Sequence, residues 1–407
     1  MKAYQLIIVA TLFITALIVG MIGCEYDVAE PQWEQDFVNP PTPKITQLEP
    51  DKVAPAGFNT IKILGENFAE AREDNQVYFG NVTAEVVNAS DSSLTVRRPN
   101  LVSDSAVVKV VSYKALVVAK YSPYKIDPVM DRYGSFVENL QLRAIAVDKA
   151  ENLYVIQLTP STVFKVTPDG EKTIIGESPR AVTDAKIGPG GKLVLLMNYR
   201  RIYQMNLETG EATEWVDAGS GKNVSFGDFD SNGNFYVGGR RSDLIVVAPN
   251  LSKKSIGVYS RDEIFCVRVY NDYVYLLVDL ASSDEQNPKK AIWRHQILDA
   301  DGNLGTRELV LNWANTGEYA ASVPQTLTFS DDGLMYIGTN YTHPIMIFDP
   351  QNGRQDILYK GILPSYAVKL EWGTENYLYM LLGGTEWNIV RINMGKAGAP
   401  YYGRGLP

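Results

Sequence analysis

Asp228-x-Asp230-x-Asn232-Gly233 has the spacing with which a calcium loop begins, oxygen ligands at alternate positions followed by a glycine for the turn. The twelfth position is Gly239, where such a loop needs a bidentate glutamate, so the run reads as Asx-turn chemistry between two strands. Asp299-x-Asp301-Gly302-Asn303 and Asp331-Asp332-Gly333 read the same way. Zinc chemistry has little to draw on, because the chain holds 2 histidines, His295 and His343. No Ser-His-Asp set, H-E-x-x-H motif or zinc-spaced cluster is present, so no catalytic residue, metal ligand or cofactor is assigned. A carboxylate and amide site assembled from several segments stays open.

The side chains best suited to recognition are Arg180, Tyr199, Arg200, Arg240, Arg241, Asp243, Asn340, Tyr341, His343 and Trp387. Tyrosine and tryptophan stack on sugar faces, while arginine, asparagine and aspartate hydrogen-bond hydroxyls or carboxylates. The mixture suits a carbohydrate or a peptide.

These residues fall between strands of a repeated unit. VSFGDFDSNGNFYV, residues 224–237, shows its pattern: a short apolar strand, an Asp/Asn/Gly turn, then a strand with a central aromatic. Equivalent positions Tyr154, Val194, Tyr236, Tyr275, Tyr336 and Tyr379 lie 40, 42, 39, 61 and 43 residues apart, which makes six units. A period near 40 with four short strands per unit is the signature of a β-propeller, whose blades bury faces that no single blade can bury. In that geometry loops between second and third strands share a face with loops joining successive blades, and the candidate residues lie there. The long interval is assigned to enlarged loops at 279–290 and 299–319. Ring closure by 133–137 or 397–402 is expected, and Cys266 is expected to be a buried thiol.

Other segments bound the setting. With 407 residues, a net charge of −9 and a pI near 5.0, the chain lacks the general basic character that nucleic acid or anionic membrane surfaces would attract. The apolar run Leu6 to Gly23 ends at Cys24, and residues 25–42 are acidic and proline-rich, reading as an extended tether. The two cysteines have unlike settings, and no disulfide is expected. From 43 to 126, alternation in Thr60 to Leu64 and Ala106 to Val111, punctuated by Pro50, Gly57, Gly65 and Gly80, makes an immunoglobulin-like sandwich.

Three resemblances add to this reading. Gly23-Cys24 resembles the end of a bacterial lipoprotein signal, which implies lipidation of Cys24 and a membrane anchor; an uncleaved transmembrane helix is the alternative. Residues 43–126 resemble the IPT/TIG family in Ile45, Pro50, Gly57, Ile63-x-Gly65-x-Asn67-Phe68, Val77-x-Phe79-Gly80, Ala84 and Pro99. That resemblance implies a turn at Gly65 and Asn67, a core Phe68, and a spacer or interaction module. Residues 131–407 resemble NHL and lactonase-like propellers.

The expected architecture is all-β: an IPT/TIG sandwich, then a six-bladed propeller. The layout is similar to accessory glycan-binding lipoproteins that sit beside TonB-dependent transporters in Gram-negative outer membranes. It implies a lipid-anchored, non-enzymatic surface protein with a carbohydrate ligand and no nucleic-acid role. An envelope scaffold and a metal-dependent lactonase-like hydrolase are the alternatives. The anchor is testable directly: Cys24→Ala should move the protein from the detergent phase to the aqueous phase on Triton X-114 partition. Retention of the variant in the detergent phase would favour the uncleaved helix.

Overall fold

The computed structural model describes residues 41–137 and 140–402, with Tyr4, Ile7, Ile8 and Thr11 as isolated positions. Cys24, most of the apolar run and most of the tether therefore lie outside the described residues. Among those described, no helix is long and apolar enough to cross a membrane.

Two antiparallel-dominated sheets form the N-terminal sandwich. One orders Lys44–Glu49, Thr60–Glu66, Ser93–Arg97 and Val86–Ala89; the other orders Val53–Ala54, Ala119–Ile126, Ser103–Ser112, Asn75–Phe79 and Val82–Ala84. Alternate residues Ile61, Ile63, Leu94, Val96, Val108 and Val110 point inward and are fully buried, as period-2 patterning requires. Phe68 joins that core, and Asn67 takes the left-handed conformation at φ 62°. Gly65 has a different role from the turn expected of it. It lies on a strand where an added Cβ would sit 2.0 Å from the Lys44 carbonyl oxygen and 2.4 Å from the Phe68 ring.

Six four-stranded sheets follow, each a blade. Their innermost strands are Leu142–Val147, Val182–Ile187, Phe226–Phe229, Glu263–Tyr270, Pro324–Phe329 and Ala367–Trp372. The second strands, such as Leu153–Gln157 and Leu193–Met197, are buried along their whole length because neighbouring blades cover both faces. This is why they read as unbroken apolar runs. Asx turns join first to second strands. The Asp230 carboxylate accepts the Asn232 and Asn234 amides at 2.9 and 2.8 Å, then the Tyr236 hydroxyl at 3.0 Å. Asp148 repeats the arrangement with Asn152 and Tyr154.

Closure and one loop differ from expectation. Met130–Arg132 supplies the outer strand of the sixth blade, pairing with Ile389–Asn393, and lies just before the 133–137 segment expected there. Residues 397–402 add no strand to that blade; they cross the turn face, with Gly398 bridged to Ser330. Residues 299–319 are not all loop, since Glu308–Asn312 is the fourth strand of blade four. A carboxylate also fastens the seam. Glu151 of blade one accepts from the Thr374 backbone and hydroxyl and from the Tyr379 hydroxyl of blade six, in space that only Gly373 leaves open.

The sandwich is docked against blades five and six. Tyr359 is buried, its hydroxyl accepting the Gly57 amide at 2.6 Å and donating to the Asn393 carbonyl at 2.8 Å. Arg97 pairs with Asp356 at 2.6 Å, and Lys360 with Glu85 at 3.0 Å. Gly57 and Gly395 touch backbone to backbone. A spacer free to swing does not describe this domain. Tyr359→Phe strands a buried donor and acceptor and should lower stability by roughly 1–3 kcal/mol in urea unfolding. An unchanged midpoint would show that this hydroxyl contributes nothing to the docking.

Candidate functional site

Strand register sorts the channel-lining side chains into two layers. Residues paired with equivalent positions of the second strands are Ala144, Asp184, Phe226, Cys266, Thr326 and Lys369 in one layer, and Ala146, Lys186, Asp228, Arg268, Thr328 and Glu371 in the next. All six charged groups are buried. Glu371 bonds Lys186 and Arg268, the latter at 3.0 Å; Asp228 lies 3.7 Å from Arg268; Asp184 meets Lys369 at 2.9 Å. Three cations face three carboxylates.

Burial by itself would raise the Glu371 pKa, but Arg268 and Lys186 reverse that and hold it at about 2. Burial likewise pushes Asp228 up, and there Arg268 and Lys186 do not fully offset it. The C-terminal segment closes the turn-side end of the channel. Tyr401 lies under Arg268 at 4.7 Å and its hydroxyl accepts the Phe329 amide at 2.7 Å, while Tyr402 stacks on Phe229 at 4.9 Å.

A channel metal would need oxygen ligands free to bind it. The three carboxylates here are engaged by ammonium or guanidinium groups, so this donor set does not fit a divalent cation. Among the described residues no group of three or more His, Cys, Asp or Glu side chains is placed to hold a metal ion.

The opposite end opens on the loop face. Innermost strands of five blades bulge at one equivalent point, between Leu142 and Ala144, Val182 and Asp184, Ile264 and Cys266, Pro324 and Thr326, and Ala367 and Lys369. Arg143, Thr183, Phe265, Gln325 and Val368 sit in those bulges and are half-buried between buried neighbours. Thr183 donates to the Ser225 carbonyl at 2.7 Å, and Phe265 and Val368 join the apolar packing between blades. Arg143 stacks on Trp387 at 5.0 Å, joining blades one and six at the mouth.

The candidate residues divide into groups. Arg180 lies 4.5 Å over the Tyr199 ring, and Arg200 pairs with Asp217 at 3.4 Å beside it. Arg240 pairs with Glu263 at 2.9 Å, and Arg241 is exposed at φ 51°. Across the mouth, the Tyr341 hydroxyl donates to Glu318 at 3.1 Å, with Tyr319 and His343 against its ring. Two candidates are occupied with structure. Asp243 is buried and accepts from the Ser255 hydroxyl and the amides of Gly257, Val258 and Tyr259, which removes it from any ligand set. The Asn340 side chain accepts the Val323 amide at 2.7 Å. His295 is an interior residue, held by Tyr259 and the Gly305 carbonyl. Cys266 is buried and unpaired with any cysteine.

Sequence reasoning missed the channel charges and Arg143. The signal for the channel charges was present: Thr-Asp-Ala-Lys-Ile, Phe-Gly-Asp-Phe, Cys-Val-Arg-Val and Lys-Leu-Glu-Trp each set charge where blades one and five have Ala or Thr.

Comparison with known proteins agrees with this fold. Residues 43–124 match the IPT/TIG domain family. An auxiliary nutrient binding protein from Bacteroides ovatus is similar at 13% identity and TM-score 0.51, covering 88% of this chain and 99% of that one. One from Bacteroides thetaiotaomicron is similar at 15% and 0.50, covering 88% and 99%. A gluconolactonase from Xanthomonas campestris is similar at 11% and 0.50, covering 72% and 90%. At these identities the likeness is one of fold. No curated protein matches the chain.

The charge network carries a pH prediction. Glu371 has a folded pKa depressed from 4.5 to about 2, so its stabilising contribution is present above pH 4.5 and is lost as pH falls towards 2. Glu371→Gln should cost about 3–5 kcal/mol at neutral pH, since Lys186 and Arg268 then lose their partner, and should flatten stability between pH 4.5 and 2. Equal acid slopes in the variant and wild type would contradict the assignment.

Proposed function

We propose that this protein is a non-enzymatic binding protein of the bacterial envelope, tethered by a lipid on Cys24, that captures a carbohydrate on the loop face of its propeller. One observation carries the reading: aromatic–guanidinium pairs, Arg180 with Tyr199 and Arg143 with Trp387, stand at the rim of a channel whose interior is filled by paired charges. Such pairs present a flat apolar surface edged by hydrogen-bond donors, which is what a pyranose face with its hydroxyl rim requires. The auxiliary nutrient binding proteins of like fold are compatible with a binding role. The like-folded gluconolactonase does not move the proposal towards catalysis, because the channel carboxylates are already neutralised by cations. The docked sandwich holds the loop face at a fixed attitude to the tether, and a TonB-dependent transporter or another envelope protein is the partner proposed to receive the ligand. An outer-membrane location follows from that role.

Isothermal titration of the full chain in detergent against a panel of neutral and acidic polysaccharides tests the reading. Binding is expected, and Tyr199→Ala with Trp387→Ala should weaken it about tenfold, the loss of two stacking surfaces. Absence of binding to every glycan, with specific capture of an envelope protein, would replace this reading with the scaffold.

A further inference from the structure

The loop face is electrically lopsided in a chain whose net charge is −9. Five consecutive loops, 178–181, 198–200, 218–225, 240–241 and 256–262, carry Arg180, Arg200, Lys222, Arg240, Arg241 and Arg261. Their one carboxylate, Asp262, is buried and accepts the Ala281 amide at 2.8 Å. Arg200 and Arg240 have partners on strand ends, Asp217 and Glu263. Among the described residues Arg180, Lys222, Arg241 and Arg261 make no ion pair, and the first and the last two are exposed.

The loops form one continuous strip. The Tyr199 carbonyl accepts the Val224 amide at 3.1 Å, the Asn223 side chain reaches the Arg240 carbonyl at 3.5 Å, and the Arg241 amide donates to Asp262 at 2.8 Å. Arg143 on blade one, stacked on Trp387 at the mouth, is a further cation outside the strip, and its buried Nε finds no hydrogen-bond partner among the described residues. The other half of the rim has the opposite character: Glu318 accepts from Tyr341, and Glu386 pairs with Arg132 at 3.2 Å. Among the described residues four of these cations, Arg180, Lys222, Arg241 and Arg261, are left without an ion pair on one arc, and an anion is what would neutralise them.

We infer that blades two and three form a carboxylate-reading arc, and that the ligand is an acidic, uronate-bearing polysaccharide. The inference rests on the carbohydrate reading above and narrows it. Guanidinium forks match carboxylates two bonds at a time, and they are spread here over several loops, which suits a chain with a charge on each sugar better than one isolated anion. Neutral ring faces are left to Tyr199 within the strip and Trp387 at the mouth.

The test uses the full chain in detergent, with polygalacturonate, its fully methyl-esterified form, neutral xylan and poly-glutamate as probes. Polygalacturonate should bind at least about tenfold more tightly than the ester, weaken as salt rises, and lose about tenfold on combined Arg180→Ala, Arg241→Ala and Arg261→Ala substitution. All three sites are exposed, and an unchanged unfolding midpoint confirms that the variant is folded. Equal binding of the ester or of xylan overturns the acidic ligand while leaving carbohydrate binding intact. No binding of any glycan overturns both. Poly-glutamate binding as tightly as polygalacturonate makes the arc a surface for acidic protein and overturns the sugar assignment.

Discussion

Everything in the propeller depends on how its axis is filled. Six innermost strands converge there, and the charged side chains they point inward are buried. The chain places Lys186, Asp228, Arg268 and Glu371 in a single layer, with Asp184 and Lys369 in the layer nearer the loop face. Each ion removed from water costs several kcal/mol, and only close partners offset that. The partners come from blades two, three, four and six, so the charges neutralise one another only when the ring is complete. The network thereby couples blades distant in sequence, Lys186 to Glu371 and Asp184 to Lys369.

Two other contacts answer the same constraint. The ring must be shut where its ends meet, and Met130–Arg132 together with Glu151 on Thr374 and Tyr379 does so from opposite sides of the seam. The turn-side end of the channel is covered, with Tyr401 against Arg268 and Tyr402 stacked on Phe229. What remains exposed and chemically varied is the loop face. There five innermost strands bulge at one equivalent point, and Arg143 at one of those bulges stacks on Trp387. The docked sandwich stands beside blades five and six, so the basic arc on blades two and three lies on the far side of the ring from it.

The repeat made the fold legible. Tyr154, Tyr236 and Tyr379 recur at blade spacing because each hydroxyl meets a carboxylate at the first turn or seam, and the second strands are apolar because they are covered twice. Closure was placed a few residues late because a three-residue strand, Met130–Arg132, has no periodicity of its own to read. Of the candidate site, loop position was legible: it places Arg180, Tyr199, Arg241 and Trp387 on one face, yet it does not distinguish Asp243, one residue inside a strand, from its exposed neighbours. Asp243 is used by the backbone it caps, and only three-dimensional packing reveals that. The channel charges are not legible from periodicity because a charged residue on a strand ordinarily faces solvent, whereas here they face each other.

The central claim is that a channel filled by paired charge leaves the loop face as the surface that meets ligand. Hydrogen–deuterium exchange of the full chain with and without polygalacturonate addresses it most directly. Exchange is predicted to slow in the loops at 178–181, 198–201, 239–242 and 256–262, and to stay unchanged in the turns at 148–152, 230–234 and 330–334. Protection confined to those turns, or to the cleft between the sandwich and blades five and six, would contradict the account.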